Sequence, residues 1–225
     1  MSFGFRHKMF CYLAGAAMGF PSGNTNNTTD ELGLIPERTL IEFIDDVGNE
    51  KWKRGDLLRL AEVLLQDDRT TIKERILQIL PQSADSEFQS RVEGIFMGLS
   101  SEPDRAVRKT VSIGFATWLE KLEEMDRTEI ICRWVLSSEG NVREMMARTL
   151  AGGVTGQIGI SSAISLLSND TEDDVRLAAV AASEAQFGFN PPVYAQILRN
   201  LNHDTNEDVR GAAKTAFNEI KDWIV

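Results

Sequence analysis

"NEDVRGAAKTAF", Asn206 to Phe217, decides the fold, because "TEDDVRLAAVAA", Thr171 to Ala182, writes the same pattern upstream. Each places acidic residues before a Val-Arg pair and small or apolar residues after it. The Val-Arg pairs fall at Val107-Arg108, Val142-Arg143, Val175-Arg176 and Val209-Arg210, spaced by 35, 33 and 34 residues. Another 35 residues back lies Ile72-Lys73, a conservative version of the pair. A period of this length is the signature of a stacked repeat.

The residues after each anchor have helical periodicity. From Val209, apolar side chains recur at Ala212, Ala213, Ala216, Phe217, Ile220, Trp223 and Ile224, one face of an α-helix. The position four after each anchor reads Ile76, Val111, Met146, Ala179 and Ala213, and the position eight after reads Leu80, Phe115, Leu150, Ser183 and Phe217. Only Ser183 interrupts the second column. Acidic residues before the anchors suit helix starts, where short side chains cap free N–H groups and favour the positive dipole end. Pro103 suits a first helical position. Between these B helices lie shorter periodic stretches, Lys53–Gln66, Ser86–Leu99, Arg127–Leu136, Gly156–Leu167 and Pro192–Leu201, each a candidate A helix. "WLEKLEEM", Trp118 to Met125, reads as an extension of its B helix.

The predicted architecture is therefore all-α, a right-handed α-solenoid of antiparallel helix pairs. Residues 51–225 hold five repeats, approximately 51–81, 84–125, 126–152, 155–188 and 190–225. Residues 1–50 read as a degenerate capping repeat with a polar loop at 21–33, since terminal repeats must cover an exposed core. "PERTLIEFIDDV", Pro36 to Val47, supplies its B helix and Met9–Phe20 its A helix.

Composition narrows the function. The chain has 225 residues and a formal net charge of −10, which disfavours nucleic-acid backbones and anionic membranes as partners. Cys11 and Cys132 each lie in an apolar run and read as buried free thiols, in keeping with a reducing, cytoplasmic setting. Residues 1–20 carry Arg6 and Lys8 before an apolar stretch, so an exported protein is the alternative if they act as a signal.

"EPDRAVR", "TEDDVR" and "TNEDVR" resemble HEAT repeats, most nearly the short bacterial PBS-lyase HEAT-like variety, over about residues 51–225. In that family a turn aspartate and the arginine after valine form a hydrogen-bonded ladder between neighbouring repeats. The resemblance implies such a ladder from Asp170, Asp204, Arg108, Arg143, Arg176 and Arg210, with Lys73 a partial equivalent. "SSEGNVR" before Arg143 departs from the pattern by lacking the aspartate.

No constellation points to catalysis, a cofactor or a metal. His7 and His203 are far apart, and each is followed by Lys8 or Asp204 rather than the glutamate of the iron-binding HEAT-repeat hydroxylases. "AGGVTGQIG", Ala151 to Gly159, lacks the strand and Gly-Lys-Ser/Thr of a phosphate loop. "KWKR", Lys51 to Arg54, reads as a solvated helix start with Trp52 packed inward. The expected function is a non-enzymatic scaffold or adaptor, binding a protein partner of basic or mixed charge through the concave face of a HEAT-like stack. Its acidic rim would be Asp173, Asp174, Glu207 and Asp208. The resemblance also extends to bilin lyase subunits, which leaves a chromophore lyase-like or chaperone-type subunit as the alternative.

Overall fold

The computed structural model describes residues 34–49, 54–82, 88–154 and 159–221. Among them the chain forms eleven α-helices and no strand: α1 Glu37–Asn49, α2 Arg54–Leu64, α3 Thr70–Ile79, α4 Gln89–Gly98, α5 Arg105–Leu119, α6 Glu124–Val135, α7 Gly140–Ala151, α8 Ile160–Leu167, α9 Asp173–Ala185, α10 Pro191–Leu201 and α11 Glu207–Ile220. This is the all-α helical repeat class that the sequence predicts. The readings placed on residues 1–20, the loop 21–33, "KWKR" at Lys51–Lys53 and residues 155–158 of the glycine-rich stretch fall outside the described residues.

Each helix buries the stripe that its periodicity marks. In α1 the stripe is Leu40, Phe43, Ile44 and Val47, and in α11 it is Val209, Ala213, Ala216 and Ile220. Residues three and four apart share a helix face, so each set forms one continuous apolar stripe. α10 begins at Pro191, where the missing N–H costs nothing.

The chain divides into two compact units, Met1–Gly114 and Phe115–Val225. In the first, α3 packs against α1 and α2, and α2 also meets α4. Gly114 of α5 lies so close to α3 that a Cβ there would sit 2.9 Å from the Leu77 carbonyl oxygen. In the second unit α9 packs between α7 and α11, while each A helix rests on its own B helix: α6 on α7, α8 on α9 and α10 on α11. Small side chains permit the close approach of α9, whose Ala178, Ala179 and Ala182 are all buried. Phe115, Trp118 and Trp134 are fully buried and share ring contacts, with centroids 5.8 Å apart for Phe115–Trp118 and 4.3 Å for Phe115–Trp134. Aromatic clusters of this kind supply a large part of the apolar area a small unit must bury.

Four expectations are corrected. The B helix through Trp118 stops at Leu119, and Glu124–Met125 open α6 instead of prolonging α5. Cys132 is exposed. The buried stripe of α6 is Arg127, Ile130, Ile131, Trp134 and Val135, and Cys132 lies on the other side of the helix from that stripe. Pro103 precedes α5, and the helix is capped by Asp104, which accepts from the N–H groups of Ala106 and Val107. Glu139 and Glu172 stand at the N-caps of α7 and α9 but make no capping hydrogen bond, while Asn206 caps α11 through Asp208 N and Val209 N. Glutamate is one methylene too long for the compact cap that Asn and Asp make.

Ser183, the break in the apolar column, is fully buried, and its Oγ donates to the Ala179 carbonyl at 2.8 Å. The hydroxyl is satisfied within its own helix, so the column tolerates it.

Candidate functional site

The anchors gather at the turns that open the B helices. Six residues before each anchor cation stands Asp67, Glu102, Ser137, Asp170 or Asp204. In the second unit Arg143 Nε and Nη2 grip both carboxylate oxygens of Asp170 at 2.6 and 2.9 Å. Arg176 repeats the geometry on Asp204, at 2.7 and 3.0 Å. The third nitrogen, Nη1, turns back to the opening of the arginine's own repeat. For Arg143 it reaches Ser137 O at 2.9 Å, for Arg176 Asp170 O at 2.8 Å, and for Arg210 Asp204 O at 2.8 Å. One guanidinium thus fastens two successive turns, which its planar fork of donors allows. Ser137 offers only its carbonyl there, which is how the repeat without the aspartate keeps the inner half of the contact.

In the first unit Lys73 Nζ donates to Glu102 Oε2 at 3.0 Å, a single contact where arginine would give two. Arg108 Nη1 donates to the carbonyls of Glu102 at 2.6 Å and Pro103 at 3.0 Å. Asp67 is held by Arg69 through Nε at 2.8 Å and Nη2 at 2.5 Å, and Arg69 Nη1 also reaches Ile35 O at 2.7 Å.

The turn aspartates do two things at once. Asp67, Asp170 and Asp204 each accept the N–H two residues on, from Arg69, Glu172 and Asn206, closing a small turn around the carboxylate. The side chains of Asp170 and Asp204 are 9% and 7% exposed, and those of Arg143 and Arg176 are 13% and 11%. At that burial the pairs are shielded from the solvent screening that weakens surface ion pairs. Their protonation follows. The Arg176 hydrogen bonds hold the Asp204 carboxyl below the usual carboxylate range, against a smaller push upward from burial. Burial pushes Asp170 up, but Arg143 and the Glu172 N–H outweigh it and the carboxyl lies low. The Arg69 hydrogen bond likewise lowers Asp67.

The four acids of the expected rim differ from one another. Asp173 is engaged: it accepts from Arg176 Nη2 at 2.5 Å and from Asn206 Nδ2 at 2.7 Å. Asp174, Glu207 and Asp208 are exposed. Asp173 therefore belongs with the fastened turns, and the other three carboxylates have no hydrogen-bond or ion-pair partner among the described residues.

Several fasteners escape the repeat pattern. Gln186 is buried, and its Nε2 donates to Leu150 O at 2.9 Å and Val154 O at 2.7 Å, tying the far ends of α7 and α9. Thr70 reaches Asp104 at 3.0 Å and Thr71 reaches Glu37 at 2.7 Å, each pair 34 residues apart. Pairing residues one repeat apart would have found the threonines. Nothing in the sequence marks Gln186.

At the end of the last repeat an open cleft of about 480 Å³ is lined by Asn202, His203, Glu207, Arg210, Gly211 and Lys214. Among the described residues no three His, Cys, Asp or Glu side chains converge as a metal site, and no helix is long and apolar enough to cross a membrane.

No family model matches the chain, and no curated protein matches its sequence. Solved structures match its fold. The MAST/Orbit N-terminal domain superposes with a TM-score of 0.55 at 13% identity, covering 86% of this chain and 96% of that one. Cex1p gives 0.50 at 16% identity, covering 95% of this chain and 44% of Cex1p, so the chain spans less than half of that protein's length. A designed armadillo repeat protein gives 0.46 at 16% identity, covering 92% and 98%. At these identities the likeness is one of helical repeat fold.

Proposed function

We propose that the chain is a non-enzymatic scaffold whose repeats are of the HEAT-like kind and whose B-helix face and acidic helix starts bind a protein partner. The observation that carries this reading is the division of labour among the charges of the second unit. Asp170, Asp173 and Asp204 are consumed in fastening one turn to the next, whereas Asp174, Glu207 and Asp208 stand exposed beside them. The bidentate Arg143–Asp170 and Arg176–Asp204 contacts support the HEAT-like assignment, because the same inter-repeat ladder defines that family. Stacked repeats offer a continuous surface in which each unit adds contact area without a pocket. Exposed carboxylates on such a surface favour a partner of basic or mixed charge, drawn in over the distance that salt allows.

The test is affinity capture with two baits, the native chain and one carrying Asp174→Lys, Glu207→Lys and Asp208→Lys. A protein retained by the first and lost by the second is the expected result. Identical captures from both baits would remove the acidic surface from the proposal.

A further inference from the structure

Arg210 repeats the posture of Arg143 and Arg176 with half of its contacts unmade. Its Nη1 donates to Asp204 O at 2.8 Å and Thr205 O at 3.4 Å, the same backward anchor that orients the other two. Those two arginines then close Nε and Nη2 on an aspartate of the following turn. Nε and Nη2 of Arg210 have no acceptor among the described residues. The fork is already oriented, so a carboxylate that meets it forms two charge-assisted hydrogen bonds without first ordering the side chain.

The neighbouring position tells what the occupant is. Four residues after the anchor arginines of the second unit stand Ala147, Val180 and Lys214. Ala147 and Val180 are buried, whereas Lys214 is exposed. A further helix of the same kind packed against α11 would have to bury the Lys214 ammonium, which is costly without a paired anion. The face is thus built for something polar and negative. Arg210 and Lys214 place two permanent cations in the cleft beside His203, against the single carboxylate of Glu207. Glu207 stands three residues before Arg210, as Asp173 stands before Arg176. Asp173 takes Nη2 of Arg176 while that arginine still binds Asp204, so a carboxylate at this position leaves the fork able to take a second.

We propose that this cleft binds an acidic segment of a partner protein, presenting an aspartate in the small turn conformation that Asp170 and Asp204 adopt internally. Arg210 receives the carboxylate in a bidentate contact, and Lys214 and His203 meet the acids that follow it. The cleft borders the acidic surface and shares Glu207 with it, but its partner chemistry is the opposite one.

A blocked, labelled peptide reproducing Ser168–Val175, "SNDTEDDV", serves as the probe, titrated into the full chain at low salt with anisotropy detection. Saturable binding in the range of about 0.1–1 mM is expected for one charge-assisted fork. Lys214→Gln and Arg210→Gln should each weaken it, the latter by about tenfold, and a peptide with asparagine in place of Asp170 should bind as weakly as the arginine variant does. Lys214 makes no hydrogen bond or ion pair among the described residues, so its variant keeps the test valid if Arg210→Gln loosens the turn. The exposed Arg133→Gln change should leave binding unaltered, since that charge lies on α6 beside Glu129. No saturation up to about 5 mM, or equal binding by the Lys214 and Arg210 variants or by the asparagine peptide, overturns the proposal. So does self-association of the chain that Arg210→Gln abolishes while the peptide fails to bind, because the occupant is then a second copy.

Discussion

Arg176 places its three nitrogens on the carboxylates of Asp204 and Asp173 and on the carbonyls of Asp170 and Thr171. Arg176→Ala leaves buried acceptors and a partly buried carboxylate without donors, which costs about 1–3 kcal/mol. Chemical denaturation should show this loss, with Arg176→Lys recovering only part of it because an ammonium cannot bridge both oxygens. The same pair predicts a pH dependence. Asp204 has its folded-state pKa lowered, so its contribution is fully present above the ordinary carboxylate value of about 4 and disappears as pH falls through the lowered folded value. Asp204→Asn should therefore lower the melting temperature at neutral pH, and the gap should close below about pH 4. Glu184 behaves oppositely. Burial and the facing Glu219 carboxyl push it above the ordinary range, so the folded state is favoured when it is protonated and loses that advantage as pH rises through its folded value. Glu184→Gln should raise the melting temperature slightly at neutral pH and converge with the native chain on acidification. A Glu184→Gln chain no more stable than native at pH 7 would mean that the two carboxyls do not oppose each other.

At the scale of the element, two glycines separate steric need from tolerance. At Gly114 an added Cβ would lie 2.9 Å from the Leu77 carbonyl oxygen, a backbone atom that cannot yield without moving α3. Gly114→Ala gains up to about 1 kcal/mol of helix propensity but loses about 1–3 kcal/mol to overpacking, so net destabilisation is expected. At Gly140 the nearest atom is Glu172 Cγ at 3.0 Å, on a side chain able to swing away, so Gly140→Ala should be neutral or mildly stabilising. Denaturation midpoints of the two variants, compared side by side, check the contrast. The B helices were legible because valine, the small residues after it and the acids before it all report the same face and the same start. The A helices carry weaker start signals, and their edges shift accordingly: α6 opens at Glu124, three residues before the apolar stretch suggested, because its first turn, with Glu124 and Asp126, is charged yet helical. The turn contacts of Arg143 and Arg176 lie at positions that the repeat resemblance names. Gln186 was illegible, since one amide at a helix end means nothing until the fold brings Leu150 O and Val154 O to it. Cys132 misled because "EIICRWVL" is mostly apolar, and only the register of Trp134 and Ile131 decides which side faces out.

For the whole molecule the governing quantity is where the excess charge stands. Of the formal −10, residues 168–225 carry ten acids against five cations, half of the total. Asp170, Asp173 and Asp204 among these acids are paired with Arg143 and Arg176, so most of the field reaching solvent at the helix starts comes from the exposed Glu172, Asp174, Glu207 and Asp208. Such a field acts at a distance set by salt: the Debye length is roughly 14 Å at 0.05 M and about 4 Å at 0.5 M. A cationic partner should therefore associate faster at low salt, with dissociation changed little, since steering acts on encounter and not on the packed interface. Reversing the three acids to lysine changes the local charge by six units and should slow association while leaving the helical circular dichroism intact. Each reversal also places a cation near a helix N-terminus, a penalty of about 0.3–1 kcal/mol apiece, so the comparison belongs well below the melting temperature. Association kinetics of the captured partner, measured for both chains across that salt range, decide the matter. Rates that neither the reversal nor salt alters would mean that the acidic helix starts serve solubility and capping, and that recognition lies on uncharged surface.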